Sequence, residues 1–247
     1  MVPNNCRKYW LCTLDGEWKS YVASAEKNII MGLIIIIGVG PGISLGVARK
    51  FGKEGFRVGL VSRREEKLKE YASQLQQDGI QASYAKADVT DEASLHEALV
   101  TLGAASGEAD IILYNPSGYS KKEILEQEWS TIERAIHISA GGYFHLMKMV
   151  LPHYLRKNTG RLFVTGGGTA LKGDADMVAL SAGKAALRNI VQAFQQRVKN
   201  TGIHIAQVTV CGYVQASDPK YNPDAIAEQF WTLYNQEPGA FEEEIIY

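Results

Sequence analysis

Three glycines, at positions 38, 40 and 42, end a fully apolar run, Leu33-Ile34-Ile35-Ile36-Ile37. A residue without a Cβ lets the backbone turn tightly and lets a ligand approach it closely. A helix-like stretch follows over 47–53, and the first turn of a helix offers unpaired N–H groups and a positive dipole end. Strand, glycine turn and helix in that order are what cradle the pyrophosphate of a dinucleotide. Gly38, Gly40, Gly42 and Ile43 are therefore candidate cofactor contacts. Glycine-rich turns also arise for structural reasons alone; here the strand before and the helix after favour the ligand. Ser44 stands where a third glycine would, and its hydroxyl could itself donate to phosphate.

Four further segments carry groups suited to the same ligand. Ser62-Arg63-Arg64 follows the second apolar run with no carboxylate at its tip. An Asp or Glu there would hold the ribose 2′-hydroxyl of NAD, whereas arginines meet a 2′-phosphate through a charge-assisted fork. The alternative is that Arg63 and Arg64 only begin a solvated helix. Asp88-Val89 could accept from an adenine amino group, and Asp88 or Thr90 could cap the next helix. Asn115-Pro116-Ser117-Gly118 makes a turn past which a nicotinamide ribose would run, and Val214 follows a late strand near the same end. Lys184, set among Ser181-Ala182-Gly183 and Ala185-Ala186-Leu187, is an awkward choice for a core and reads as a cofactor contact.

The elements that position these groups alternate. Strand-like runs at 57–62, 82–87, 111–114, 161–166 and 204–210 are separated by helical stretches at 65–77, 92–102, 123–157 and 178–200. A last helix begins after Pro223, and an edge strand is expected at 243–247. Strands linked by helices of this length imply right-handed crossovers, hence a doubly wound parallel sheet in a three-layer α/β/α domain of Rossmann type. Ligands of such sheets bind at the carboxyl ends of the strands. The chain has 247 residues, 46% hydrophobic and 21% charged, which suits a single domain. Residues 1–30 look different, without a sustained period, and read as an N-terminal extension, disordered or artefactual, ahead of a domain over 31–247.

Several classes are excluded. A formal net charge of −1 without a basic stripe argues against nucleic acid as a partner. No apolar run reaches the ~20 residues that span a bilayer. Cys6, Cys12 and Cys211 form no metal-ligand spacing and no disulfide framework, so no metal is expected and a reducing, cytoplasmic home is the default.

In the glycine turn, Ser62-Arg63, Asp88-Val89, Asn115-Pro116-Ser117-Gly118 and Lys184, the chain resembles the short-chain dehydrogenase/reductase family over 32–247. Thr165-Gly166-Gly167-Gly168-Thr169-Ala170 looks like a divergent bacterial branch whose motif reads close to Thr-Gly-Ala-Thr-Ala-Ser. The resemblance implies an oxidoreductase using a nicotinamide cofactor, NADP here rather than NAD, on a small molecule. It also implies a homodimer or homotetramer built through helices 123–157 and 178–200. Family catalysis uses a Tyr as acid/base, a Lys four residues later, a Ser and an Asn. In this sequence those positions fall on Leu180, Lys184, Gly167 and Ser139, so only the lysine is retained. The enoyl-reductase spacing puts the tyrosine at Met177, which closes that route as well. Leucine cannot exchange a proton, and a positioned acid contributes ~10²–10⁴-fold in rate. Ser181, Thr169, Tyr143, Tyr213 and His137 are the nearby substitutes, each read more readily as packing or surface. Cys211 is expected to be a buried, inert thiol. Two functional readings result: an atypical NADP-linked reductase acting on a carbonyl or alkene, or a catalytically silent NADP(H)-binding protein serving as redox sensor or assembly partner.

Overall fold

The computed structural model describes residues 9–12, 18–21 and 32–247. Strands β1 (Tyr9–Cys12) and β2 (Trp18–Tyr21) pair antiparallel as a separate two-stranded sheet. The rest of the N-terminal extension, and with it the expectation that the extension is disordered, lies outside the described residues.

From Gly32 onward strands and helices alternate: β3 (Gly32–Ile37), α1 (Ile43–Lys53), β4 (Phe56–Ser62), α2 (Glu65–Gln77), β5 (Ala82–Lys86), α3 (Glu92–Ser106) and β6 (Ile111–Tyr114). Then come α4 (Trp129–Ile136), α5 (Gly142–Lys157), β7 (Gly160–Gly167), α6 (Val178–Val198), β8 (Ile203–Val210), α7 (Pro223–Tyr234) and β9 (Glu244–Ile246). The seven strands β3–β9 form one parallel sheet in the order β5-β4-β3-β6-β7-β8-β9. The order reverses between β3 and β6, which opens a crevice at their carboxyl ends.

The apolar run of β3 divides by the period of two that a strand imposes. Leu33, Ile35 and Ile37 enter one core with residues of α3, α5 and α6, such as Leu95, Leu146 and Leu187. Ile34 and Ile36 enter the other with residues of α1, α2 and α7, such as Phe51, Leu75 and Phe230. Burial on both faces explains why this strand is apolar throughout instead of alternating.

The helix expected over 123–157 is not continuous. A 3₁₀ turn (Ile124–Glu126) precedes α4, and a π-helical turn (His137–Gly141) separates α4 from α5. The wider turn carries an extra residue, the sort of irregularity that concentrates at functional sites. It carries Ser139 into the interior, where that side chain is fully buried. Sequence periodicity has no signature for one inserted residue, so 123–157 reads as a single helix.

Candidate active site

The carboxyl ends of β3, β4, β5 and β6 enclose a cleft of 640 Å³. Of the residues expected to hold a dinucleotide, Gly38, Ser62, Arg63, Arg64, Asp88, Val89, Asn115, Pro116 and Ser117 all line it. Gly40, Gly42 and Ile43 form the turn into α1 beside it. A Cβ built on Gly40 would meet nothing within 4 Å, and one on Gly42 only Val214 Cγ1 at 3.7 Å, so the turn faces open space with Val214 beside it. No side chain caps α1 and no acidic residue stands in its first turn, which leaves the positive end of the helix to an anion. These features fit a dinucleotide.

The glycine turn is held from inside. Gly38 has φ +83° and sits so close to Pro116 that a Cβ would lie 2.6 Å from the proline nitrogen. Ser44 is 1% exposed; its Oγ accepts from Gly40 N at 2.9 Å and lies 3.3–3.4 Å from the carbonyls of Gly40 and Gly38. Asn115 Nδ2 donates to the Gly38 carbonyl at 3.0 Å and to Ser44 Oγ at 3.3 Å. The expectation that Ser44 would donate to phosphate is thus corrected, since its hydroxyl is buried and committed to the turn itself.

Arg63 and Arg64 are exposed at the rim. Asp88 holds the backbone N–H and hydroxyl of Thr90 on one oxygen, Oδ1, at 3.0 and 2.8 Å, leaving Oδ2 free of protein partners among the described residues. Burial would push the Asp88 carboxyl up; the two bonds from Thr90, with Arg63 and Arg134 nearby, outweigh it and hold the group below the usual carboxylate range. Neither Asp88 nor Thr90 caps the next helix. Asp91 does, accepting from the N–H groups of Ala93 and Ser94. Arg134, on α4, had no motif to mark it; only the fold brings it near Asp88.

Lys184 lies deeper, 6% exposed on α6, and its Nζ donates to the Thr165 carbonyl of β7 at 2.6 Å. Burial pushes its ammonium down to about 8. The hydroxyls of Thr165, Thr169 and Ser139 are buried without a partner among the described residues. A Cβ on Gly167 would lie 3.8 Å from both Lys184 Cγ and Thr169 Oγ1, so that position has room for a side chain. Gly183 is a packing residue: a Cβ there would meet Ala135 O at 2.8 Å and Ser139 Oγ at 2.9 Å, so its absence lets α6 lie against α4.

The remaining candidates separate clearly. Ser181 Oγ donates to the Met177 carbonyl and accepts from Asp174 N, which ties it to the start of α6. Tyr143 is fully buried against Tyr114, and burial pushes its hydroxyl far above the ordinary range. Tyr213 is 70% exposed and Leu180 half-buried. His137 is exposed at the start of the π-helical turn. Cys211 is exposed, contrary to the buried thiol expected; it is the first residue after β8. Among the described residues no His, Cys, Asp and Glu cluster could hold a metal, and no helix is long and apolar enough to cross a membrane.

A parallel sheet with a glycine turn at its switch point and helices on both faces defines a Rossmann-type α/β protein. Residues 32–222 match the family described as short chain dehydrogenase, and the chain belongs to that family of nicotinamide-dependent oxidoreductases. It is 24% identical over 191 residues to an uncharacterized oxidoreductase of Staphylococcus aureus (strain MW2), covering 77% of this chain and 82% of that protein. An uncharacterized oxidoreductase of Staphylococcus epidermidis is 24% identical over 178 residues, covering 71% and 75%. The fold is similar to an alcohol dehydrogenase from the archaeon Thermococcus sibiricus, solved with 5-hydroxy-NADP, at TM-score 0.78 and 21% identity over 87% of this chain and 95% of that one. It is similar as well to actinorhodin polyketide ketoreductase with NADPH, at TM-score 0.79 and 22% identity over 86% and 94%.

Proposed function

We propose that this chain is an atypical NADP(H)-dependent reductase or dehydrogenase acting on a small carbonyl or alkene compound. The observation that carries the reading is the single cleft in which nine of the expected cofactor residues meet, with Arg63 and Arg64 at its rim and no carboxylate at the tip of β4. When bound, the nicotinamide supplies or accepts a hydride. The protein's part is to hold it: the turn 38–42 and the first turn of α1 take the pyrophosphate, Asp88 the adenine amino group, and Arg63 and Arg64 the 2′-phosphate. Lys184 takes the nicotinamide ribose.

Leucine at 180 and glycine at 167 leave the reaction without the family's tyrosine and serine. Lys184 is then the protein's own proton source, because an ammonium with its pKa near 8 releases a proton near neutrality more readily than an exposed lysine. The space over Gly167, with Lys184 Cγ and Thr169 Oγ1 each 3.8 Å from its missing Cβ, is where we seat the substrate oxygen. A homo-oligomer through α4, α5 and α6 is part of the proposal, supported by Trp129 and Phe144, which are 67% and 45% exposed on those helices. The free thiol of Cys211 suits a reducing cytoplasm.

Side-by-side fluorescence titrations with NADPH and NADH at fixed ionic strength test the cofactor reading. Tighter binding of NADPH is expected, and failure to bind either overturns it. A panel of aldehydes, ketones and enones then tests turnover; NADPH bound without oxidation on any member rejects the reductase.

A further inference from the structure

The space over Gly167 opens between two segments. A Cβ on Gly168 would lie 3.2 Å from Cys211 Cα, so the chain just past β8 is laid against the turn that carries Thr169. From Cys211 that chain runs to the glycine turn, where Val214 stands beside Gly42. Segments 168–171 and 211–214 thus flank one mouth, and neither holds a charged residue. Leu171, Tyr213 and Val214 are exposed in them. Leu180 lies one turn before Lys184 on the same face of α6. The charged side chains of the cofactor cleft, Arg63, Arg64 and Asp88, follow β4 and β5, on the far side of β3 and β6 in the sheet. Large apolar side chains left in the open beside a reaction site suit an apolar, uncharged occupant.

The same place has little to offer a developing oxyanion. Hydride addition to an isolated ketone or aldehyde builds a full charge on one oxygen, an alkoxide about as basic as hydroxide, whose conjugate acid has a pKa of ~16. Stabilising it takes a donor in the transition state, and one such donor is worth ~10²–10³-fold in rate. Leu180 and Gly167 supply none. Lys184, whose Nζ is held on the Thr165 carbonyl at 2.6 Å, is left to provide the proton. A quinone asks less of the protein. Its charge spreads over the ring and both oxygens, and the anion that forms is phenolic, with a pKa of ~10. Burial lowers the Lys184 ammonium to about 8, so it gives that phenolate a proton readily once the hydride has moved.

We infer that the substrate is a quinone, the cyclic enedione among the carbonyl compounds already proposed, lying against Tyr213 and Leu171 with one oxygen over Gly167. The inference rests on the reductase reading and narrows its substrate. In the reaction a C–H bond of bound NADPH breaks and an O–H bond forms at the quinone's far oxygen. The electron pair passes through the ring to the oxygen over Gly167, and NADP⁺ remains. Lys184 adds the proton that completes the hydroquinone and regains one from water.

The probe is tetramethyl-p-benzoquinone, which has no unsubstituted ring carbon for the exposed Cys211 thiol to add to. NADPH oxidation by the full chain is followed with this quinone and with cyclohexanone, each corrected for the protein-free rate. A kcat/KM at least ~100-fold higher for the quinone is expected, the worth of one missing oxyanion donor. Binding is read separately, by calorimetric titration of the NADP⁺-loaded protein, which cannot turn the quinone over. Saturable binding, weakened about tenfold by Tyr213→Ser, is the expected result. Tyr213 is exposed, so that variant is expected to fold, and its thermal melt verifies this. Cyclohexanone turned over as fast as the quinone, no quinone turnover by protein that binds NADPH, or quinone binding indifferent to Tyr213→Ser overturns the assignment. Failure of the reductase reading appears differently. Neither nucleotide then binds and both proposals fall, whereas NADPH binding with turnover of ketones but not of the quinone removes the quinone alone.

Discussion

Replacing Lys184 by methionine should make the protein more stable at neutral pH, and the gain should vanish in base. The ammonium is buried on α6 with a single hydrogen bond, to the Thr165 carbonyl, and burial lowers its pKa from 10.5 to about 8. A group whose charged form is disfavoured by folding binds fewer protons in the native state than in the unfolded chain between those two values. Stability of the wild type therefore rises with pH from about 8 to about 10.5. At ~1.4 kcal/mol per pKa unit, the buried charge costs on the order of 3 kcal/mol below pH 8. Methionine has a similar shape and carries no such cost, but it leaves the Thr165 carbonyl without its donor, an offset of about 1–3 kcal/mol that does not depend on pH. The difference between the two proteins should thus favour Lys184→Met most at pH 6–8. It should fall by a few kcal/mol as pH rises toward 10.5. Urea denaturation of both proteins at half-unit steps from pH 6.5 to 10 measures this directly, and other titrating groups cancel in the comparison. A difference that stays flat across that range would refute the buried, destabilised ammonium, and with it the assignment of Lys184 as a proton source near neutrality.

Three other outcomes are expected. Arg63→Ala should weaken NADPH by about tenfold, the loss of one charge-assisted contact, while leaving NADH nearly unchanged in the same fluorescence titration. Leu180→Tyr combined with Gly167→Ser should raise carbonyl reduction, because the serine Cβ has only two neighbours, both at 3.8 Å; no gain with cofactor still bound argues against the substrate pose over Gly167. Ser44→Ala should destabilise the fold by about 1–2 kcal/mol, since it removes the oxygen that accepts from Gly40 N inside the turn. It should also loosen cofactor binding, read by a chemical melt and by titration.

Most of the architecture was legible in the chain because it rests on local patterns. An apolar run buried on both faces, a glycine turn and a helix define β3 and α1. The boundaries of β4, α2, β7 and α6 fell within two residues of those expected, because each is bracketed by a clear change of period. Arg63, Asp88 and Asn115 could be named as site residues for the same reason: strand ends in a doubly wound sheet converge on one crevice. Tertiary packing decided what depends on partners distant in sequence. Ser44, a phosphate donor by its place in the motif, is consumed by Gly40 and Asn115; the Asn115 amide comes from 71 residues away. Gly183 is needed where α6 lies against α4, since a Cβ there would meet Ala135 and Ser139, residues that its own neighbourhood in the sequence does not bring near. Cys211, the first residue past β8, is exposed, which its apolar neighbours in the sequence do not reveal. Arg134 has no signal in its own neighbourhood, since helical periodicity gives only the face on which a charge lies. That it comes near Asp88 follows from where the fold carries α4, which no local pattern encodes.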